Sequence, residues 1–178
     1  VLFRSQVVRT SSDKLRFNSS TPTNNAEYTL QGELNDGIWH HWVFERVVGV
    51  STKIYLDGTQ VAFVGNASGN VDNADPMRLA ARSEGPADRF WDGQLAEFAS
   101  FKRVLSLGEI QALARGFSPL FMRSLPDVYL SINGRYSPER DIIGGLSATV
   151  NGGAAYFAHP AAIQRPISNI VPHAPARF

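Results

Sequence analysis

The chain has 178 residues, 43% of them hydrophobic and 19% charged, enough for one domain with a real core. Seventeen basic against sixteen acidic side chains leave a net charge of +1, so no basic stripe gives a footprint for nucleic acid. There is no cysteine, which excludes disulfides, thiolate zinc sites and cysteine nucleophiles, and no apolar run approaches the ~20 residues of a membrane helix.

Val1-Leu2-Phe3-Arg4-Ser5 has neither the apolar region nor the cleavage site of a signal peptide. Leu2 to Ser5 spell one reading frame of a sequencing-adapter end, so residues 1–5 are expected to be an artefact ahead of a truncated domain. Lys14-Leu15-Arg16-Phe17-Asn18 alternates polar and apolar side chains, as a half-buried strand does. Tyr28-Thr29-Leu30 reads as a second strand and Asn35-Asp36-Gly37 as a turn.

From residue 39 to residue 48 both alternating sets are apolar: Trp39, Val43 and Val47 on one face, Trp42, Phe44 and Val48 on the other. Such a strand is expected in the middle of its sheet. Asp57-Gly58 suits the positive φ angles of a two-residue hairpin turn. That turn predicts that Leu56 opposes Thr59, Ile54 opposes Val61 and Thr52 opposes Phe63, with Ile54, Leu56, Val61 and Phe63 facing a core. Residues 65–76 and 84–88 read as polar loops, residues 77–81 as a strand, and residues 94–105 as a long strand with Leu95, Ala99 and Phe101 on one face.

Ser106 and Glu109 have the spacing of a capping box. Leu107, Ile110 and Leu113 form the expected buried stripe of a short helix, closed by Gly116. Strand-like pieces follow at residues 128–132, 148–150 and 155–157. Four prolines recur without period from residue 160 onward, as in an extended tail lying on a surface or a neighbour.

Four of these pieces, in order, resemble the laminin-G-like, concanavalin A-like lectin/glucanase superfamily. They are Trp39-His40-His41, Tyr55-Leu56-Asp57-Gly58, Gly93-Gln94-Leu95-Ala96-Glu97, and Arg103-Val104-Leu105-Ser106 with Glu109-Ile110. The resemblance implies an all-β fold, a concanavalin A-like jelly-roll β-sandwich with one short helix. The sandwich is expected over residues 6–116, a β-rich extension packing on it over 117–159, and the proline-containing tail over 160–178. Ala96 stands where the family often has Asp, and the strands that the family places well ahead of Lys14 are expected to be absent. Segments resembling Phe117-Ser118-Pro119-Leu120, Arg140-Asp141-Ile142-Ile143-Gly144 and His159-Pro160 trail such domains in environmental and phage-encoded proteins.

Glycosidases of this superfamily carry Glu-x-Asp-x-x-Glu on one strand, because two carboxylates must flank the scissile bond. Here that strand reads Glu97-Phe98-Ala99-Ser100-Phe101-Lys102, which keeps one carboxylate of three, so no enzyme activity is expected. His40 and His41 are adjacent and, on a strand, point to opposite faces, so they are expected to be one packed and one surface histidine.

Each strand carries the chain from one end of a sandwich to the other. Strand counting therefore gathers Asp36, Asp57, Asp88, Phe90, Trp91 and Asp92 at one end. Carboxylates beside aromatics suit a calcium-assisted sugar site, and calcium at loop tips is also what the resemblance implies. Trp91, Phe90 and Asp57 are the expected ligand contacts; Asp36, Asp88 and Asp92 are the expected metal ligands. Asp72, Asn73 and Asp75 are an alternative at the opposite end. The expected function is a non-catalytic glycan-binding or adhesion module of a secreted, cell-surface or virion-associated protein. Its partners would be a glycan or a surface protein, with no nucleic acid and no membrane insertion. The alternative is a structural or assembly component of a phage particle, its tail docking on neighbours.

Overall fold

A computed structural model describes residues 6–9, 13–18, 25–65, 78–80, 91, 93–132 and 137–151. The described strands form antiparallel pairs throughout. The first sheet joins β1 (Gln6–Arg9), β2 (Lys14–Asn18) and β3 (Ala26–Thr29) in that order. The alternation of β2 sends Leu15 and Phe17 inward, and their register partners Tyr28 and Ala26 share that face. Outside, Glu27 accepts hydrogen bonds from Lys14 Nζ at 3.0 Å and Arg16 Nε at 2.6 Å.

The second sheet joins β4 (Trp42–Val47), β5 (Ser51–Leu56) and β6 (Thr59–Gly65). Phe17, Ala26 and Ile54 lie buried between the two sheets, with Tyr28, Trp42, Phe44, Val61, Ala62 and Val64 packed around them. The rings of Phe17 and Phe44 meet across the layers with centroids 5.4 Å apart. This is a β-sandwich, two sheets face to face over one apolar layer.

Three expectations about this sheet need correction. The middle strand is β5, not β4, among the described residues. The strand begins at Trp42 rather than at Trp39, because Asp57 Oδ1, not a neighbouring carbonyl, takes the N–H of His41 at 2.8 Å. The hairpin begins as predicted, with Leu56 opposite Thr59, but a bulge between Ile54 and Tyr55 then shifts the register. Ile54 faces Ala62 and Thr52 faces Val64, so Phe63 turns outward and is 58% exposed.

The expected long strand over residues 94–105 is only β7 (Phe98–Ser100), because Glu97 stands at φ +56° and leaves the extended conformation. Leu95 is accordingly exposed. Residues 78–80 of the expected strand over 77–81 form no strand, and Ala80 stands at φ +63°. Strand β7 pairs with β8 (Val128–Leu130), and β9 (Glu139–Arg140) with β10 (Ser147–Ala148). A bridge between Leu130 and Asp141 ties these two pairs. The pieces expected at residues 155–157 and the tail over 160–178 lie outside the described residues.

Helix α1 (Leu107–Ala114) starts at the predicted capping box. Glu109 N–H donates to Ser106 Oγ at 3.3 Å and Ser106 N–H donates to Glu109 Oε2 at 2.8 Å. Arg103 then grips Glu109 with two guanidinium nitrogens, at 2.6 and 2.9 Å. Ile110 is buried as expected, but Leu107 is 55% exposed and leaves the predicted stripe. No helix among the described residues is long and apolar enough to cross a membrane.

Candidate functional site

The Asp57-Gly58 turn and the segment leading into β4 meet at one end of the sandwich. Asp57 N–H donates to His41 O at 2.9 Å, and His41 N–H returns a bond to Asp57 Oδ1 at 2.8 Å. His40 sits between two carboxylates: its Nδ1 is 2.7 Å from Asp57 Oδ2 and its Nε2 is 2.9 Å from Asp36 Oδ2. The second oxygen of Asp36 accepts the Ile38 N–H at 2.9 Å.

An imidazole can donate from both nitrogens only when protonated. The hydrogen bond to Asp36, with that to Asp57, accordingly raises the His40 pKa above its usual 6.5 against the opposing effect of burial. The bond from His40, with that from Ile38, lowers the Asp36 pKa below 3.8. His41 goes the other way. Burial lowers its pKa, and its Nδ1 is buried without a hydrogen-bond partner. Both histidines precede β4 rather than lying on it, and both are partly buried, so the expected split into one packed and one surface histidine does not hold; the two differ in their partners. What adjacency does not show is that His40 clasps two loops together.

Asp36 and Asp57, two of the six expected site residues, are brought together by this clasp. Each carboxylate oxygen accepts one bond, and an oxygen with two lone pairs can accept another. The Asp57 side chain is 48% exposed to solvent. Trp39, immediately before His40, is 42% exposed instead of packed in a strand face. Sequence alternation placed this indole in the core; its position outside β4 is what turns it to the surface.

Trp91 is half-buried, and its ring Nε1 is buried without a partner. Its indole lies so close to Gly93 that a Cβ there would stand 2.5 Å from Nε1. Trp91 N–H donates to Ala80 O at 2.8 Å. Phe90, Asp88 and Asp92, and the alternative set Asp72, Asn73 and Asp75, lie outside the described residues. Among the described residues, no group of three or more His, Cys, Asp or Glu side chains could hold a metal ion. Asp36, the described member of the expected calcium set, accepts hydrogen bonds from His40 and from the Ile38 N–H.

The carboxylate left from the glycosidase pattern has a structural partner. The buried Tyr129 hydroxyl donates to Glu97 Oε2, and Glu97 N–H donates to Ser131 O at 3.2 Å. The other two positions of the pattern are Ala99 and Lys102. Lys102 pairs with Asp127, its N–H 2.7 Å from Asp127 Oδ2.

A family model of the laminin-G type, described as the concanavalin A-like lectin/glucanases superfamily, matches residues 3–111. No curated protein and no solved structure matches the chain. Domains of the laminin-G kind are generally non-catalytic binding modules, although the superfamily also includes glucanases. The match spans both sheets of the sandwich, the His40 clasp and the capped start of α1, and on it the chain belongs to the concanavalin A-like lectin/glucanase superfamily.

Proposed function

We propose that the chain is a non-catalytic glycan-binding module, carried by a secreted, cell-surface or virion-attached protein. The observation that carries this reading is the exposed indole of Trp39, one residue before His40 of the hydrogen-bonded Asp36–His40–Asp57 cluster. An indole face stacks on the C–H face of a sugar ring, and fixed carboxylate oxygens accept its hydroxyl protons. The clasp holds both carboxylates in place before a ligand arrives, which reduces the ordering cost of binding. Superfamily membership supports the same reading.

A glycan array probed with the wild-type chain and with Trp39→Ala tests it. Binding to a defined set of glycans that falls with Trp39→Ala is the expected result. An array with no binding, or binding indifferent to Trp39→Ala, would count against it.

A further inference from the structure

The turn that His40 holds through Asp57 meets helix α1 through Gly58. A Cβ at position 58 would lie 3.2 Å from Gln111 Cγ and 3.3 Å from Gln111 Cα. Gly58 also stands at φ +83°, so both space and backbone conformation favour glycine here. Beside this contact an open groove of about 310 Å³ lies between the hairpin and the helix. That volume is at the lower end of the range for small-molecule sites.

Tyr55, Gly58, Thr59, Gln60, Leu107 and Gln111 line the groove. None of the six carries a charge at neutral pH. Thr59, Gln60 and Gln111 are exposed and offer a hydroxyl and two amides, each able both to donate and to accept. Tyr55 and the displaced Leu107 add apolar surface. The walls are held in place. The capping box and the Arg103–Glu109 pair fix the start of α1, and the β5–β6 ladder fixes the hairpin.

Neutral donors and acceptors over an apolar floor match the chemistry of an uncharged sugar, which shows hydroxyls at its rim and C–H groups on its faces. None of the described lining residues is a cation, and Lys53, which interacts with Tyr55, is already paired with Glu45 at 2.7 Å, so the carboxylate of a uronic or sialic acid residue would find no lining cation to receive it. We propose that this groove is a second subsite, taking an uncharged sugar residue of the bound glycan. The inference rests on the glycan-binding reading above and adds to it a place and a ligand class.

Calorimetric titration of the full chain with neutral hexasaccharides (malto-, cello-, manno-, xylo- and chitohexaose) and with acidic oligogalacturonate tests it. The variants are Gln60→Ala/Gln111→Ala for the groove and Trp39→Ala for the clasp end. Both groove side chains are exposed, and circular dichroism checks that the fold is kept. At least one neutral hexasaccharide is expected to bind, and losing two amides should weaken it about tenfold. Neutral-glycan binding that falls with Trp39→Ala but not with the double variant would overturn the groove and leave the module reading standing. Binding of oligogalacturonate alone would overturn the groove's ligand class. If none of the sugars binds, both readings fail.

Discussion

His40 Nδ1 lies 2.7 Å from Asp57 Oδ2, and the opposite nitrogen of the same ring lies 2.9 Å from Asp36 Oδ2. One protonated imidazole thereby ties the loop before β4 to the β5–β6 turn. This tie should depend on pH. The folded-state pKa of His40 is raised above 6.5, so its stabilisation is complete below about 6.5 and is lost as pH rises through the folded value. Asp36 has a lowered pKa, so its share is present above 3.8 and is lost as pH falls through the folded value. His41 opposes the first effect, because burial lowers its pKa and charging it costs stability as pH falls. Thermal melts should show wild type ahead of His40→Ala near pH 5.5, with the gap narrowing by pH 9. A gap that does not change with pH would exclude the imidazolium clasp.

The Glu109 carboxyl is held at about 2 chiefly by the hydrogen bonds from Arg103, with those from Ser106 and Arg123 N–H adding to it. Its stabilisation is present above 4.5 and is lost as pH falls through about 2. Glu109→Ala removes both the helix cap and the Arg103 pair, and should cost about 1–2 kcal/mol in urea denaturation. Glu109→Gln keeps a capping group and should lose less. A Glu109→Gln variant as stable as wild type would mean that the charge contributes nothing.

The bulge in the β5–β6 hairpin predicts an ordering. Val64 lies on the core face opposite Thr52, whereas Phe63 points outward opposite Lys53. Val64→Ala should therefore destabilise the protein more than Phe63→Ala, although Phe63 is the larger side chain. Ile54→Ala, at a fully buried position between the sheets, should cost about 2–5 kcal/mol. The reverse order for Phe63 and Val64 in denaturant melts would restore the unbulged register.

Gly93→Ala should move the Trp91 indole, because the new Cβ would fall 2.5 Å from its ring nitrogen. A shift in tryptophan emission, absent when Trp91→Phe is combined with it, is the expected readout.

How much of this was legible in the residues follows from how local each cause is. The alternation of Lys14 to Phe17, the Asp57-Gly58 turn and the Ser106/Glu109 box act within a few positions, and each was readable. The short extent of β7 is not legible locally, because the break at Glu97 coincides with partners far along the chain, the Tyr129 hydroxyl and the Ser131 carbonyl. The bulge at Ile54/Tyr55 left no mark in an alternation that looks the same on either register. Strand counting did bring Asp36 and Asp57 to one end. It did not show that His40 joins them, because that contact needs two loops in space as well as in order. Trp39 was misplaced for a related reason. Apolar alternation cannot distinguish a strand residue from one just outside the ladder.

Calorimetric titration of the most responsive array glycan into wild type and Trp39→Ala decides whether the Trp39 end of the sandwich binds carbohydrate. Saturable binding that weakens at least about tenfold in the variant, with unchanged thermal stability, is the result expected for an aromatic anchor. Equal affinities for the two proteins, or no heat with any glycan, would contradict it.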